Sequence, residues 1–183
     1  IKMYNRGEAS VPLKAFFGDL LSRPVRKKDF PIMLMDRNIN LDQLLAINNG
    51  MKYPVAYVQG PPGTGKTNTI INTIITAFFN GRTVLFASHN NHPINAVFEK
   101  LKQMEYRGER IPFPVLRLGN AEKVREALQY IREVYEQVKA VKIFESTLEK
   151  NKDDRARRAK KLSALLKRYE EVLDLRERRE TLQ

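Results

Sequence analysis

The apolar residues of this chain form short runs in its first two thirds and become periodic in its last third. Residues 55–58 and 83–87 are nearly continuous apolar runs, which are typical of strands covered on both faces of a parallel sheet. Between them, residues 69–79 place apolar side chains at helical spacing. The order strand, helix, strand predicts a βαβ unit with two parallel strands and a right-handed crossover.

Shorter patterns predict three more elements around this unit. Residues 41–47 have the spacing of a short helix, with Asn40 suited to be its N-cap and the Asn-Asn-Gly sequence at 48–50 suited to end it. Residues 93–104 predict a second helix with a proline in its first turn. Residues 115–118 predict a third short strand.

The pattern changes after residue 120. Residues 121–183 contain neither proline nor glycine, and their apolar positions recur every three or four residues, which predicts long helices. Apolar positions are missing around 151–154, so we expect two helices that fold back as an antiparallel hairpin; one continuous helix is the alternative. We therefore expect an irregular segment at 1–38, a sheet-containing domain at 39–120 and a helical insertion at 121–183 that is similar to a coiled coil. The apolar faces of this insertion could also pair between chains.

Composition narrows the classes of function. The 183 residues include 33 Lys and Arg against 21 Asp and Glu, a net charge of +12, and the excess lies mainly in residues 1–120. A basic domain favours a polyanionic partner such as nucleic acid, although a merely soluble basic surface has the same composition. There are no cysteines, which excludes disulfides and thiolate metal sites and favours a reducing, cytoplasmic setting.

The ends and the hydropathy of the chain give two further expectations. No apolar run approaches the roughly 20 residues that span a bilayer, and the first residues are not a signal peptide, so we expect no membrane partner. The chain starts at Ile1 rather than at a methionine, which indicates a piece cut from a longer protein.

One motif carries most of the chemistry. Residues 60–67 read GPPGTGKT, follow the first predicted strand and lead into the first long helix, as the phosphate-binding pattern G-x-x-x-x-G-K-[ST] requires. Glycines let backbone N–H groups approach phosphate oxygens, and the helix start adds positive charge. The ammonium of Lys66 can reach the β- and γ-phosphates of ATP, and the Thr67 hydroxyl suits Mg²⁺. The predicted nucleotide contacts are Gly60, Pro61, Pro62, Gly63, Thr64, Gly65, Lys66, Thr67 and Asn68, with Lys66 and Thr67 as the catalytic pair and Thr67 as the metal ligand.

The alternative for this motif is a Gly/Pro turn with an incidental lysine. The agreement between the motif and its strand and helix context favours the nucleotide site.

Three segments together resemble superfamily 1 helicases, in the branch related to the nonsense-mediated-decay helicase. Residues 39–43, Ile-Asn-Leu-Asp-Gln, are similar to the family's L-N-x-x-Q element, and residues 60–67 are similar to its first motif. Residues 87–97 follow the second predicted strand as the family's motif Ia does, although Ile94-Asn95 replaces the usual aspartate. The resemblance covers about residues 30–105.

The resemblance implies roles for five further residues. It implies that Gln43 reads the adenine edge, for which a carboxamide offers a donor beside an acceptor. It also implies that polar groups after the second strand contact the backbone of single-stranded nucleic acid, either DNA or RNA. These groups are Ser88, His89, Asn90 and Asn91.

The motifs and the resemblance together predict an α/β fold, that of a P-loop NTPase with an incomplete RecA-like parallel sheet. The predicted function is that of an ATP-dependent helicase or translocase. No strand ending in Asp-Glu, the acidic Walker B element that hydrolysis requires, is present in the sequence, so we expect the chain to bind ATP without hydrolysing it alone. Two other classes share the motif: AAA-type ATPases that remodel proteins, and the coiled-coil heads of chromosome-organising ATPases. Gln43 and the polar strand end argue against the first, and Thr67 with the double proline argues against the second.

Overall fold

The computed structural model describes residues 6–18, 29–35, 38–106, 108–119, 121–139 and 145–182. Within these ranges the chain is mainly helical, with one very short hairpin. The helices are α1 Val11–Phe16, α2 Leu41–Lys52, α3 Lys66–Phe79, α4 Asn91–Lys102, α5 Ala121–Lys139 and α6 Glu145–Thr181. Strands β1 Glu105–Tyr106 and β2 Glu109–Arg110 pair antiparallel, with Glu105 opposite Arg110.

Helix α2 begins where the sequence predicts. The side chain of Asn40 accepts a hydrogen bond from Gln43 N at 2.8 Å, and Asn40 N donates to Gln43 Oε1 at 3.2 Å, so the two residues form a capping box. The helix continues to Lys52, two residues past the Asn-Asn-Gly sequence that was expected to end it. Its buried Ile47 and Met51 explain the extension, because packing can outweigh the low helix propensity of asparagine and glycine.

The core forms where α3 packs against α4. Ile71 and Ile75 of α3 are 0% and 3% exposed, and Val97 and Leu101 of α4 are equally buried. Helix α2 packs on another part of α3, so α3 is the central element. Burying a side chain of this size contributes about 1.5–3 kcal/mol, so these four side chains stabilise the described chain substantially. The other fully buried members of the cluster are Met104 and Phe113.

Residues 31–35 run along α3 and are bonded to it by polar side chains. Thr76 is 0% exposed; its hydroxyl donates to Met33 O at 3.0 Å and accepts from Met33 N at 3.1 Å. Asn72 Oδ1 accepts from Met35 N at 2.8 Å. These side chains therefore satisfy backbone groups that a neighbouring strand would satisfy in a sheet.

The predicted parallel sheet is wrong. Residues 55–58, 83–87 and 115–118 are not strands, and no backbone ladder joins them to one another within the described part of the chain. Tyr57 is 85% exposed and Leu85 is 87% exposed, whereas the prediction required both to be buried. An apolar run becomes a strand only when a neighbour satisfies its backbone groups, and the pattern of one segment does not contain that information.

The predicted helical hairpin is also wrong. Residues 151–154, where the turn was expected, lie inside α6, and residues 140–144 between α5 and α6 lie outside the described residues. Helix α6 packs against α2, and no extensive contact joins α5 to α6 among the described residues. Residues 151–154 are polar but do not end the helix, because such residues cost at most about 0.7 kcal/mol each relative to alanine.

The Thr76 hydroxyl provides a test of this packing. Replacing Thr76 by valine leaves Met33 N and Met33 O without their partner, so we expect the free energy of unfolding to fall by about 1–3 kcal/mol. Thr73→Val is the matched control on the same helix, because the Thr73 hydroxyl donates only to Thr69 O of its own helix. Chemical denaturation measures both variants. If Thr76→Val and Thr73→Val lower the free energy of unfolding equally, the hydrogen bonds between Thr76 and Met33 do not contribute as proposed.

Candidate functional site

The glycines of the 60–67 loop are required by its geometry. Gly63 and Gly65 have φ of +80° and +77°, in the left-handed region that side chains disfavour. A Cβ at Gly65 would also lie 2.6 Å from Gln43 Nε2, and a Cβ at Gly60 would lie 2.7 Å from Thr64 Oγ1. The loop therefore has the tight, side-chain-free path that phosphate binding needs.

Lys66 is held across the loop by backbone carbonyl groups. Its Nζ donates to Gly60 O and Pro61 O, both at 2.5 Å. Thr64 Oγ1 donates to Pro61 O at 2.8 Å, so two side chains converge on the same carbonyl. The ammonium thus lies over the first half of the loop, next to the glycines that the motif predicts to contact phosphate.

The start of α3 adds positive electrostatic potential at the same place. Gly65 is the N-cap, no side chain caps this end, and no acidic residue lies in the first turn. The N–H groups of this turn have no partner inside the helix and carry the positive end of its dipole. Thr67 lies half-buried in this turn. Asn68 Oδ1 accepts from Lys100 Nζ of α4 at 3.2 Å, which brings a second lysine close to the helix start.

Gln43 lies directly against the loop. Its Nε2 donates to Thr64 O at 2.9 Å, while its Oε1 accepts from Asn40 N. A carboxamide has two N–H groups and two acceptor positions, so one of each is left for another partner after these bonds. The structure therefore brings Gln43 against the 60–67 loop, at Thr64, which is 21 residues further along the sequence.

A cavity of about 550 Å³ lies beside the loop. This volume falls within the usual range for small-molecule sites, roughly 300–1,000 Å³. Its polar lining comes from α2 and the loop, including Gln43, Thr64 and Lys66, and its apolar lining includes Ile70 and Ile74 of α3. The remaining wall is formed by residues of the 55–58 and 83–87 segments, namely Ala56, Val58, Val84, Leu85 and Phe86.

The four residues predicted to contact nucleic acid form one exposed turn at the start of α4. His89 Nδ1 lies 3.3 Å from Asn90 Oδ1, and Ser88 Oγ accepts from Asn90 N at 3.4 Å. Asn90 is the N-cap but makes no side-chain cap bond, and Asn91 is the first helical residue. No acidic residue lies in this first turn, so an anion would meet no repulsion from it.

The sequence analysis did not predict a contact between Tyr169 and Asp42, two residues near the site. Tyr169 of α6 donates its hydroxyl hydrogen to Asp42 Oδ1 at 2.7 Å, across 127 residues of sequence. This hydrogen bond, together with desolvation, raises the pKa of Tyr169 above its ordinary value of 10.0. The sequence signal was weak, because Tyr169 fits the apolar helical period of α6 and Asp42 is an ordinary first-turn acid.

Two other kinds of site are absent from the described residues. They contain no helix that is both long and apolar enough to cross a membrane. In the same ranges, no three His, Cys, Asp or Glu side chains come together as a metal site would require. Thr67 therefore remains the predicted metal ligand on the motif alone.

Comparison with known proteins identifies the family. The family model described as "AAA domain" matches residues 38–182, which is most of the chain. The chain belongs to this family. The match includes Gln43, the phosphate loop, the turn at 88–91 and the long helix α6.

Individual relatives point to helicases. The chain is 28% identical to mouse DNA-binding protein SMUBP-2 over 131 residues, which is 71% of this chain and 12% of that protein. It is 34% identical to mouse RNA helicase aquarius over 86 residues, 46% of this chain and 6% of that protein. An uncharacterized ATP-dependent helicase of Methanocaldococcus jannaschii is 27% identical over 141 residues, 73% of this chain and 20% of that protein. The resemblance to superfamily 1 helicases is confirmed.

The matched region is a small part of each relative. The chain spans between 6% and 20% of the length of these three proteins. No solved structure matches the chain.

The contact between Gly65 and Gln43 can be tested by comparing two glycines. Gly63→Ala and Gly65→Ala each place a side chain in the left-handed region, at a cost of about 1–2 kcal/mol. Only Gly65→Ala also displaces the Gln43 carboxamide, since nothing lies within 4 Å of a Cβ at Gly63. We expect Gly65→Ala to lower the free energy of unfolding by about 1 kcal/mol more than Gly63→Ala. Equal effects in chemical denaturation would show that Gln43 does not press on the loop.

Proposed function

We propose that this chain is the ATP-binding part of an ATP-dependent nucleic-acid helicase or translocase. The observation that carries the proposal is that three groups suited to ATP lie around the same loop. These are the Lys66 ammonium, the uncapped start of α3 and the Gln43 carboxamide. A triphosphate and an adenine base need these groups at opposite ends of one site, and the names of the relatives agree with such a role.

The phosphate end would use the loop and the first turn of α3. Lys66 would exchange its bonds to Gly60 O and Pro61 O for phosphate oxygens, which bind an ammonium more strongly because they are charged. The N–H groups of the helix start would donate hydrogen bonds to the remaining phosphate oxygens. Gly60, Gly63 and Gly65 keep the path clear of side chains.

Thr67 would hold Mg²⁺ with its hydroxyl. Mg²⁺ usually keeps several waters and takes one or two protein ligands together with substrate phosphates, so a single hydroxyl beside a phosphate loop fits this ion. When bound, Mg²⁺ supplies charge neutralisation for the phosphates. Asn68, which is bonded to Lys100, would sit at the edge of the same phosphate site.

The base end would use Gln43. After its bonds to Asn40 N and Thr64 O, the carboxamide retains one N–H and one acceptor position, which match the N7 and N6 groups of adenine. The neighbouring cavity of about 550 Å³ has an apolar wall on which a flat base could stack. Adenine recognition in this form predicts a preference for ATP over GTP.

We also propose that the chain alone binds ATP without turning it over. The sequence contains no apolar run ending in Asp-Glu to hold the metal and position water. The cysteine-free composition agrees with a reducing compartment such as the cytoplasm.

The nucleic-acid contact is assigned to the turn at Ser88, His89, Asn90 and Asn91. The turn is exposed and has donors next to a helix start without acidic residues. The net charge of +12 favours a polyanion, and the relatives include a DNA-binding protein and an RNA helicase by name. Single-stranded nucleic acid is the form we propose.

Removal of the Lys66 ammonium tests the nucleotide site. We expect Lys66→Ala to weaken binding of Mg²⁺ and a fluorescent ATP analogue by about ten- to a hundredfold, because a charge-assisted bond is lost. Lys160→Ala, which removes an exposed lysine from α6, is the control and should bind as the wild type does. Fluorescence titration gives the dissociation constants. Equal affinity of Lys66→Ala and the wild type would overturn the phosphate assignment.

Removal of two donors tests the nucleic-acid contact. We expect the double variant Ser88→Ala/Asn90→Ala to bind a single-stranded oligonucleotide about five- to tenfold more weakly, from the loss of two hydrogen bonds. Asn95→Ala is the control on the exposed side of α4. Fluorescence anisotropy over a range of salt concentrations measures both, and wild-type affinity should fall steeply with salt. A flat salt response, or an unchanged double variant, would count against the assignment.

A further inference from the structure

The long helix α6 packs on the helix that carries Gln43. Along α6, the least exposed positions recur every three or four residues, and this face includes Ala159 at 4% exposure and Leu166 at 1%. Tyr169 follows at the next position of the same face and is half-buried. Because α6 contacts α2 within the described chain, this face is the natural docking surface between the two helices.

Tyr169 makes a directed contact on this face. Its hydroxyl donates to Asp42 Oδ1 at 2.7 Å, in the first turn of α2. Asp42 is adjacent to Gln43 in that turn. A hydrogen bond to a charged acceptor is about twice as strong as one between neutral groups, and its direction fixes the position of Asp42 relative to Tyr169.

The same turn is bonded on its other side to the phosphate loop. Gln43 Nε2 donates to Thr64 O at 2.9 Å, and the capping box with Asn40 bonds the other end of the same carboxamide to Asn40 N. The first turn of α2 therefore lies between two restraints, Tyr169 of α6 and the loop at Thr64. A shift of either partner would move the Gln43 carboxamide.

We propose that Tyr169 is a positioning residue for base recognition: its bond to Asp42 holds the first turn of α2 where Gln43 meets adenine. This inference rests on the proposed nucleotide site. Within the described residues, Tyr169 makes no hydrogen bond to the 60–67 loop, and its bond to Asp42 reaches that loop through the neighbouring Gln43. It should therefore affect discrimination between bases and leave phosphate binding unchanged.

The coupling acts in both directions. If α6 docking improves adenine binding, adenine binding must stabilise α6 docking by the same factor. The docking of α6 would then become more stable when an adenine nucleotide binds, through the Tyr169 hydroxyl and the first turn of α2.

Removal of the Tyr169 hydroxyl tests the proposal. Tyr169→Phe keeps the ring on the docking face and removes only the donor. We expect it to weaken ATP binding by about two- to tenfold, the usual effect of one hydrogen bond, and to leave GTP affinity within about twofold of wild type. Tyr135→Phe on exposed α5 is the matched control and should change neither nucleotide.

A double-mutant cycle separates positioning from general destabilisation. In an Asp42→Ala background, Tyr169→Phe should have no further effect on the ratio of ATP to GTP affinity, because its partner is already absent. Titration of both nucleotides with Mg²⁺ gives the ratios, and chemical denaturation confirms that each variant is folded.

The possible results distinguish this inference from the proposed function. If Tyr169→Phe leaves the ratio of ATP to GTP affinity unchanged, whether neither affinity falls or both fall equally, the positioning role is overturned and the proposed nucleotide site is unaffected. If the wild type binds ATP no more tightly than Lys66→Ala does, the proposed function itself is overturned, and the positioning role with it. A reduced ratio that disappears in the Asp42→Ala background supports the proposal.

Discussion

The packing of α3 against α4 is the contact on which the other features depend. Ile71 and Ile75 of α3 bury their side chains against Val97 and Leu101 of α4, and α2 packs on another part of the same helix. This arrangement sets the direction of the α3 axis and therefore the place where its uncapped first turn meets the 60–67 loop. A helix of fourteen residues would be marginal alone, so its apolar contacts maintain the uncapped first turn.

The candidate site is assembled from groups that are individually ordinary. Lys66 is a lysine bonded to two carbonyl groups, and Gln43 belongs to a capping box that many helices have. Their significance comes from the bond between Gln43 and Thr64, which joins α2 to the loop. Because Gly65 has no side chain, the carboxamide can approach the loop this closely.

Sequence reasoning succeeded where the signal was local and failed where it depended on a distant partner. The Asn40 cap and the helix starting near Lys66 were confirmed, because capping and helical periodicity involve residues only a few positions apart. The strands at 55–58 and 83–87 were wrong, because a ladder needs a partner that the pattern of one run does not specify. The turn at 151–154 was wrong because loss of apolar positions indicates exposure rather than the end of a helix.

The sequence by itself determined the GPPGTGKT motif at 60–67, the helix starts around it and the resemblance to helicases. These follow from residue types at fixed short spacings, and the physics of capping, glycine conformation and anion binding acts at that range. Only the tertiary structure decided that Gln43 lies on the loop and that Tyr169, 127 residues from Asp42, reaches the turn beside Gln43. Such contacts depend on how whole helices pack, and packing is set by shape and burial over the entire chain rather than by any single motif.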